Sequence, residues 1–174
     1  MPIRALGKGS VASALSVLMS VITILGWIGF VASMVVLGFF MLVDLSGGEL
    51  KLPGVEVYNS VSIPEYIIAL AVLVVVFAGF ILVAGQLKKI LQTLIDGDPF
   101  VPENARRLLR LAIIVAGMEV CSMFIGFMAK LFHVGGSVDV TVNLAAWAAV
   151  ITLWVLSQVF AEGTRLREEE KMTI

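Results

Sequence analysis

The sequence predicts an all-α membrane protein: a four transmembrane helix bundle with a short extracytoplasmic β-like ribbon and a cytoplasmic helical hairpin between spans two and three. Three observations carry this prediction. Of 174 residues, 60% are hydrophobic and only 14% charged, with a mean hydropathy of +1.05. A water-soluble fold needs more polar surface than that. Four stretches are long and apolar enough to cross a hydrocarbon core of about 30 Å, which takes roughly 20 helical residues. Basic residues crowd onto alternate connections, the asymmetry that sets membrane topology.

The first span, residues 11–43, contains no charged residue. At 1.5 Å per residue it would reach about 50 Å, so it tilts, kinks or projects beyond the lipid. Gly26 and Gly29 mark a flexible point near its middle. Arg4 and Lys8 precede it, as in the basic start of a signal peptide. A cleavable apolar core runs only about 7–15 residues, however, so an uncleaved helix is expected. Spans two, three and four cover about 66–87, 108–130 and 143–162. The second is bounded by Glu65 and Lys88, the fourth by Asp139 and Glu162, and the third is interrupted once, by Glu119.

Orientation follows from the basic residues. Arg4 and Lys8 precede span one, Lys88, Lys89, Arg106, Arg107 and Arg110 lie between spans two and three, and Arg165, Arg167 and Lys171 follow span four. The other side carries only Lys51 and Lys130. This bias predicts a multi-pass protein of the cytoplasmic (inner) membrane with both termini cytoplasmic. Residues 1–174 read as a single membrane domain. On the outer side, alternation at 55–58 and 137–142 predicts a short ribbon, punctuated by Gly47-Gly48, Pro53-Gly54 and Gly135-Gly136. Irregular loops are the alternative there. Span four then begins near Asn143.

Composition also excludes functions. The net charge of −1 leaves no basic surplus for direct nucleic-acid binding. Cys121 is the only cysteine and His133 the only histidine. Neither a disulfide nor a metal or haem ligand set can be assembled from them, so no cofactor is expected. The apolar neighbours of Cys121 predict a small buried hydrophobe. Trp27, Trp147 and Trp154 read as packing or interfacial residues. No cluster of His, Asp, Cys or Ser marks a catalytic centre, so an enzyme is not expected.

The inner connection is more informative. Leu87, Ile90, Leu91, Leu94 and Ile95 recur at helical spacing, with Lys88, Lys89, Gln92 and Thr93 on the other face. Helix two should therefore continue beyond the membrane. Gly97 can end it with positive φ, and Pro99 prevents its resumption. Pro102 suits the first turn of the next helix, and Glu103 its positive N-terminus.

These residues carry a family resemblance. The stretch Leu91-Gln92-Thr93-Leu94-Ile95-Asp96-Gly97-Asp98-Pro99-Phe100, followed by Asn104-Ala105-Arg106-Arg107-Leu108, resembles the hallmark of bacterial membrane proteins catalogued as domain of unknown function 2975. The ending Val159-Phe160-Ala161-Glu162-Gly163-Thr164-Arg165-Leu166, with Met172-Thr173-Ile174, is similar to that family's C-terminus, and Glu168, Glu169 and Glu170 follow its acidic trend. The resemblance spans the whole chain. It implies four helices in the same layout and no established activity. It also implies a context, because members are often encoded beside a small helix-turn-helix repressor of the Cro/C1 type.

Two sites stand out. Asp96, Gly97, Asp98, Pro99, Phe100 and Asn104 form the candidate partner-binding tip, with Phe100 as an aromatic anchor. The competing reading is structural: Phe100 packs back on the bundle while Asp98 and Asn104 satisfy turn and helix-end amides. Glu119 is the candidate intramembrane polar site, where a carboxyl costs about 2–3 kcal/mol or more. Ala112, Ala116, Glu119, Ser122 and Gly126 fall on one stripe, which predicts the face of span three that meets its neighbours. Lys130 lies ~16 Å along the helix from Glu119, too far to pair. Thr23 and Thr152 are its candidate companions. A protonated glutamate joining helices is one reading of Glu119, and a proton or cation site is the other.

The function this predicts is a regulatory or interaction scaffold in the bilayer that binds a cytoplasmic partner such as a transcription regulator. A small transporter or channel subunit using Glu119 is the alternative. A homo-oligomer fits either.

Overall fold

The computed structural model describes residues 10–46, 61–134 and 142–172. Four helices occupy them: α1, Val11–Leu45; α2, Ile63–Ile95; α3, Pro102–Leu131; and α4, Leu144–Met172. All four are long and apolar enough to cross a membrane. The protein is therefore a multi-pass membrane protein. No strand occurs among the described residues. Of the expected ribbon, residues 55–58 and 137–141 lie outside the described residues, and Val142 has no regular structure.

Helices of 29 to 35 residues are about 44–52 Å long, well beyond the ~30 Å hydrocarbon core. α4 is the clearest case. It continues ten residues past the expected limit at 162, to Met172. The excess of α2 and α3 forms the expected hairpin around residues 96–101.

Local chemistry sets the ends. Glu65 reaches back to accept a hydrogen bond from the Ser62 N–H at 2.6 Å, which anchors the start of α2. α2 stops where Gly97 takes φ +85°. There the Asp98 and Gly97 amides donate to the carbonyls of Thr93 and Leu94, the paired bonds of a Schellman ending. Pro102 opens α3 with Glu103 in its first turn. α3 closes with the same bond pattern as α2, but His133 holds the left-handed position at φ 53°. Asn143 caps α4 by accepting from the Ala146 amide at 3.2 Å.

The helices pack in chain order: α1 on α2, α2 on α3, α3 on α4. Among the described residues α1 reaches neither α3 nor α4, so the bundle is an open row rather than a closed ring. Close approach depends on glycine at particular points. A Cβ on Gly29 would lie 2.8 Å from the Phe77 ring, and one on Gly26 would lie 3.2 Å from Ile81. α1 remains helical through both glycines, which seat α2 rather than form the expected flexible point.

Lipid is as apolar as leucine, so burial alone does not drive these helices together; small residues and polar bonds do. Small residues make up much of the buried set, while the hydroxyls of Ser157 and Thr164 bond within α4 itself. Ser10, Ala12, Ser16, Ala84, Asn104, Leu108, Leu111, Ala112, Ser157 and Thr164 are buried toward the hairpin end, while Tyr66 and Ala129 are buried toward the opposite end. Most large apolar side chains face outward.

Candidate functional site

The 96–101 turn brings together residues from three helices. Asn104, in the first turn of α3, is fully buried at 0% exposure. Its Nδ2 donates to Thr93 Oγ1 at 2.6 Å and to the Pro99 carbonyl at 2.9 Å. Its Oδ1 accepts from Arg107 at 2.9 Å. The same guanidinium nitrogen of Arg107 donates to the Lys89 carbonyl at 3.0 Å, and Thr93 donates to the Ile90 carbonyl at 2.7 Å. One amide thus ties the end of α2, the turn and the start of α3 together. Each net bond of this kind contributes about 1 kcal/mol, but leaving a buried partner unpaired costs about 1–3 kcal/mol. Asn104 binds a turn carbonyl and a hydroxyl, not a helix-end amide.

The tip also rests on α4. Asp98 is ion-paired with Arg167, sixty-nine residues later in the chain. Both side chains stay about two-fifths exposed, which limits such a pair to roughly 1 kcal/mol or less. Phe100 lies against Phe160, with ring centroids 5.5 Å apart and tilted by 32°. Gly163 makes room for it: a Cβ there would come within 3.1 Å of the Phe100 ring. Even so, Phe100 remains 43% exposed. Gly97 and Asp96 lie exposed at the apex. Further along α4, Arg165 pairs with Glu162 at 2.7 Å and with Glu169 at 3.5 Å.

Several participants escaped the sequence reading. Thr93, expected on the polar outer face, points inward to Asn104. Phe160, Gly163 and Arg167 recur at three- and four-residue spacing, which places them on one face of α4. That periodicity was readable, but only on the premise that the helix continues past Glu162.

Glu119 is placed differently from expectation. It is half-buried, and among the described residues it has no hydrogen bond and no ion pair. Thr23 donates to Met19 O and Thr152 to Ala148 O, so both expected companions bond within their own helices. Thr23 also sits on α1, which among the described residues does not touch α3. The predicted stripe is only partly an interior face. Ala112 is buried, Ala116, Glu119 and Gly126 are half-buried, and Ser122 is exposed. Cys121 is exposed rather than buried, two residues beyond Glu119 on the outward side of α3. No group of three or more His, Cys, Asp or Glu residues that could hold a metal ion occurs among the described residues.

A model of the family described as "Protein of unknown function (DUF2975)" matches residues 49–174, well over half of the chain. The chain belongs to this family. The matched DUF2975 region contains the turn, Asn104, Glu119 and all of α4, and starts after α1. Comparison with curated proteins and with solved structures gives no match.

Proposed function

We propose that this DUF2975 protein is a noncatalytic scaffold of the cytoplasmic membrane, oriented with its hairpin inward, whose hairpin tip and projecting α4 dock a soluble partner. A helix-turn-helix transcription regulator is the concrete candidate. The observation that carries this reading is Phe100. It is a large aromatic side chain left 43% exposed on a turn that a fully buried Asn104 and the Asp98–Arg167 pair hold in place. Aromatic anchors on a rigid base lose little conformational entropy on binding, which is why they dominate interfaces. The charged end of α4, with Glu162, Arg165, Glu168, Glu169 and Glu170 close by in sequence, supplies the polar rim. The test is affinity purification from membranes with wild type and Phe100→Ala, together with transcript levels in a deletion strain. Recovery of the same regulator with wild type but not with Phe100→Ala supports the reading. Recovery of none, with unchanged transcription on deletion, rejects it.

A second reading draws on Glu119, half-buried within an apolar span and without a hydrogen bond among the described residues. Carboxyl groups placed within a membrane span in this way often line the ion or substrate pathway of a transporter or channel. Glu119→Gln in proteoliposomes is its test. Unchanged ion or proton flux in the variant removes Glu119 from any pathway.

A further inference from the structure

α3 carries a second charged feature, on the face turned away from the bundle. Arg106 and Arg110 are exposed, lie one turn apart, and have no ion pair among the described residues. Other arginines at this end are engaged: Arg107 holds Asn104 and Lys89, Arg165 pairs with Glu162, and Arg167 pairs with Asp98. Glu103, one turn before Arg106, pairs with neither free arginine.

Below the two arginines the same face becomes wholly apolar. At 100° per residue, Ile113, Gly117, Val120 and Phe124 fall within about 40° of Arg106, while Asn104, Leu108 and Leu111 fall on the opposite side. Ile113, Gly117, Val120 and Phe124 are all exposed. A Cβ added at Gly117 would meet nothing within 4 Å, so the stripe has a shallow open step between Ile113 and Phe124. Cation above and apolar track below match one ligand class in charge and in shape. We propose that Arg106 and Arg110 hold the phosphate of an anionic phospholipid whose acyl chain runs along Ile113, Gly117 and Phe124. The two guanidiniums offer paired donors to a phosphate, a geometry that lysine cannot reproduce. This site is independent of the hairpin tip and of any soluble partner.

The experiment is native mass spectrometry of the full-length protein in detergent, titrated with phosphatidylglycerol, phosphatidylcholine or inorganic phosphate. Wild type retains phosphatidylglycerol in preference to phosphatidylcholine. The double variant Arg106→Gln/Arg110→Gln weakens that retention roughly 30-fold, from about 1 kcal/mol for each basic residue at the membrane surface. Gly117→Leu, which keeps both charges, weakens it by blocking the acyl track. Arg165→Gln removes one positive charge at the same end and leaves retention unchanged. Arg106→Lys/Arg110→Lys retains part of the lipid, which separates loss of the site from loss of fold. Equal retention of both lipids, an unaffected glutamine double variant, an unaffected Gly117→Leu, or displacement of the lipid by inorganic phosphate alone would each overturn the proposal.

Discussion

Asn104 donates to Thr93 across the turn between α2 and α3, with 2.6 Å between nitrogen and hydroxyl oxygen, and no part of the Asn104 side chain is exposed. This contact fastens the first turn of one helix to the last turn of the helix before it. Removing the amide strands the Pro99 carbonyl and takes one of two acceptors from Arg107, which keeps the Lys89 carbonyl. Asn104→Ala should therefore destabilise the protein by about 2–3 kcal/mol, measured by denaturant unfolding in detergent. Thr93→Val keeps the shape and should cost about 1 kcal/mol. The double variant should cost less than the sum, because both changes remove the same bond. Additive losses would show that the two side chains act separately.

The two α-helix endings make opposite predictions. Gly97 and His133 both hold left-handed backbone, at φ 85° and 53°. Gly97→Ala should destabilise the hairpin by roughly 1 kcal/mol, because a Cβ is strained there. His133→Gly should be neutral to stabilising by a few tenths to about 1 kcal/mol. Thermal unfolding of the two variants beside wild type checks the signs. A stabilising Gly97→Ala would contradict the Schellman ending at α2.

The latch between the tip and α4 should appear in dynamics more than in stability. Asp98 and Arg167 are too exposed for their pair to stabilise the fold by more than about 1 kcal/mol. Asp98→Arg alone, or Arg167→Asp alone, should raise amide exchange at residues 97, 98, 100 and 101 through like-charge repulsion. Combining the two restores the pair with its signs exchanged and should return exchange toward wild type. Hydrogen–deuterium exchange on the three proteins decides this.

Much of the architecture was legible because membrane helices obey local rules. The four spans, the stop at Gly97, the start at Pro102 and the beginning of α4 near Asn143 each follow from a few adjacent residues. Two kinds of feature were not. Asp98–Arg167 and Phe100–Phe160 join positions sixty or more residues apart, and neither half of such a contact has a local signature. The open row was equally hidden. An apolar helix reads the same whether it faces a neighbour or lipid, so α1 gives no sign that, among the described residues, α2 is the one helix it meets. For the same reason the small-residue stripe through Glu119 was right at Ala112 and wrong at Ser122. The inward turn of Thr93 has no local signature either, because a hydroxyl near lysines resembles a solvated face until Asn104 lies next to it.

The central claim is that the braced tip offers Phe100 to a soluble partner, and photocrosslinking in intact cells tests it most directly. A photoreactive phenylalanine analogue at Phe100, followed by mass spectrometry of the adducts, reports what the ring touches. The account predicts capture of one defined soluble DNA-binding protein beside the internal adduct at Phe160, with the soluble adduct lost in Gly163→Leu, where the ring is pushed off α4. Capture of α4 alone, with no soluble protein under any growth condition, would contradict it and leave the tip a purely structural joint.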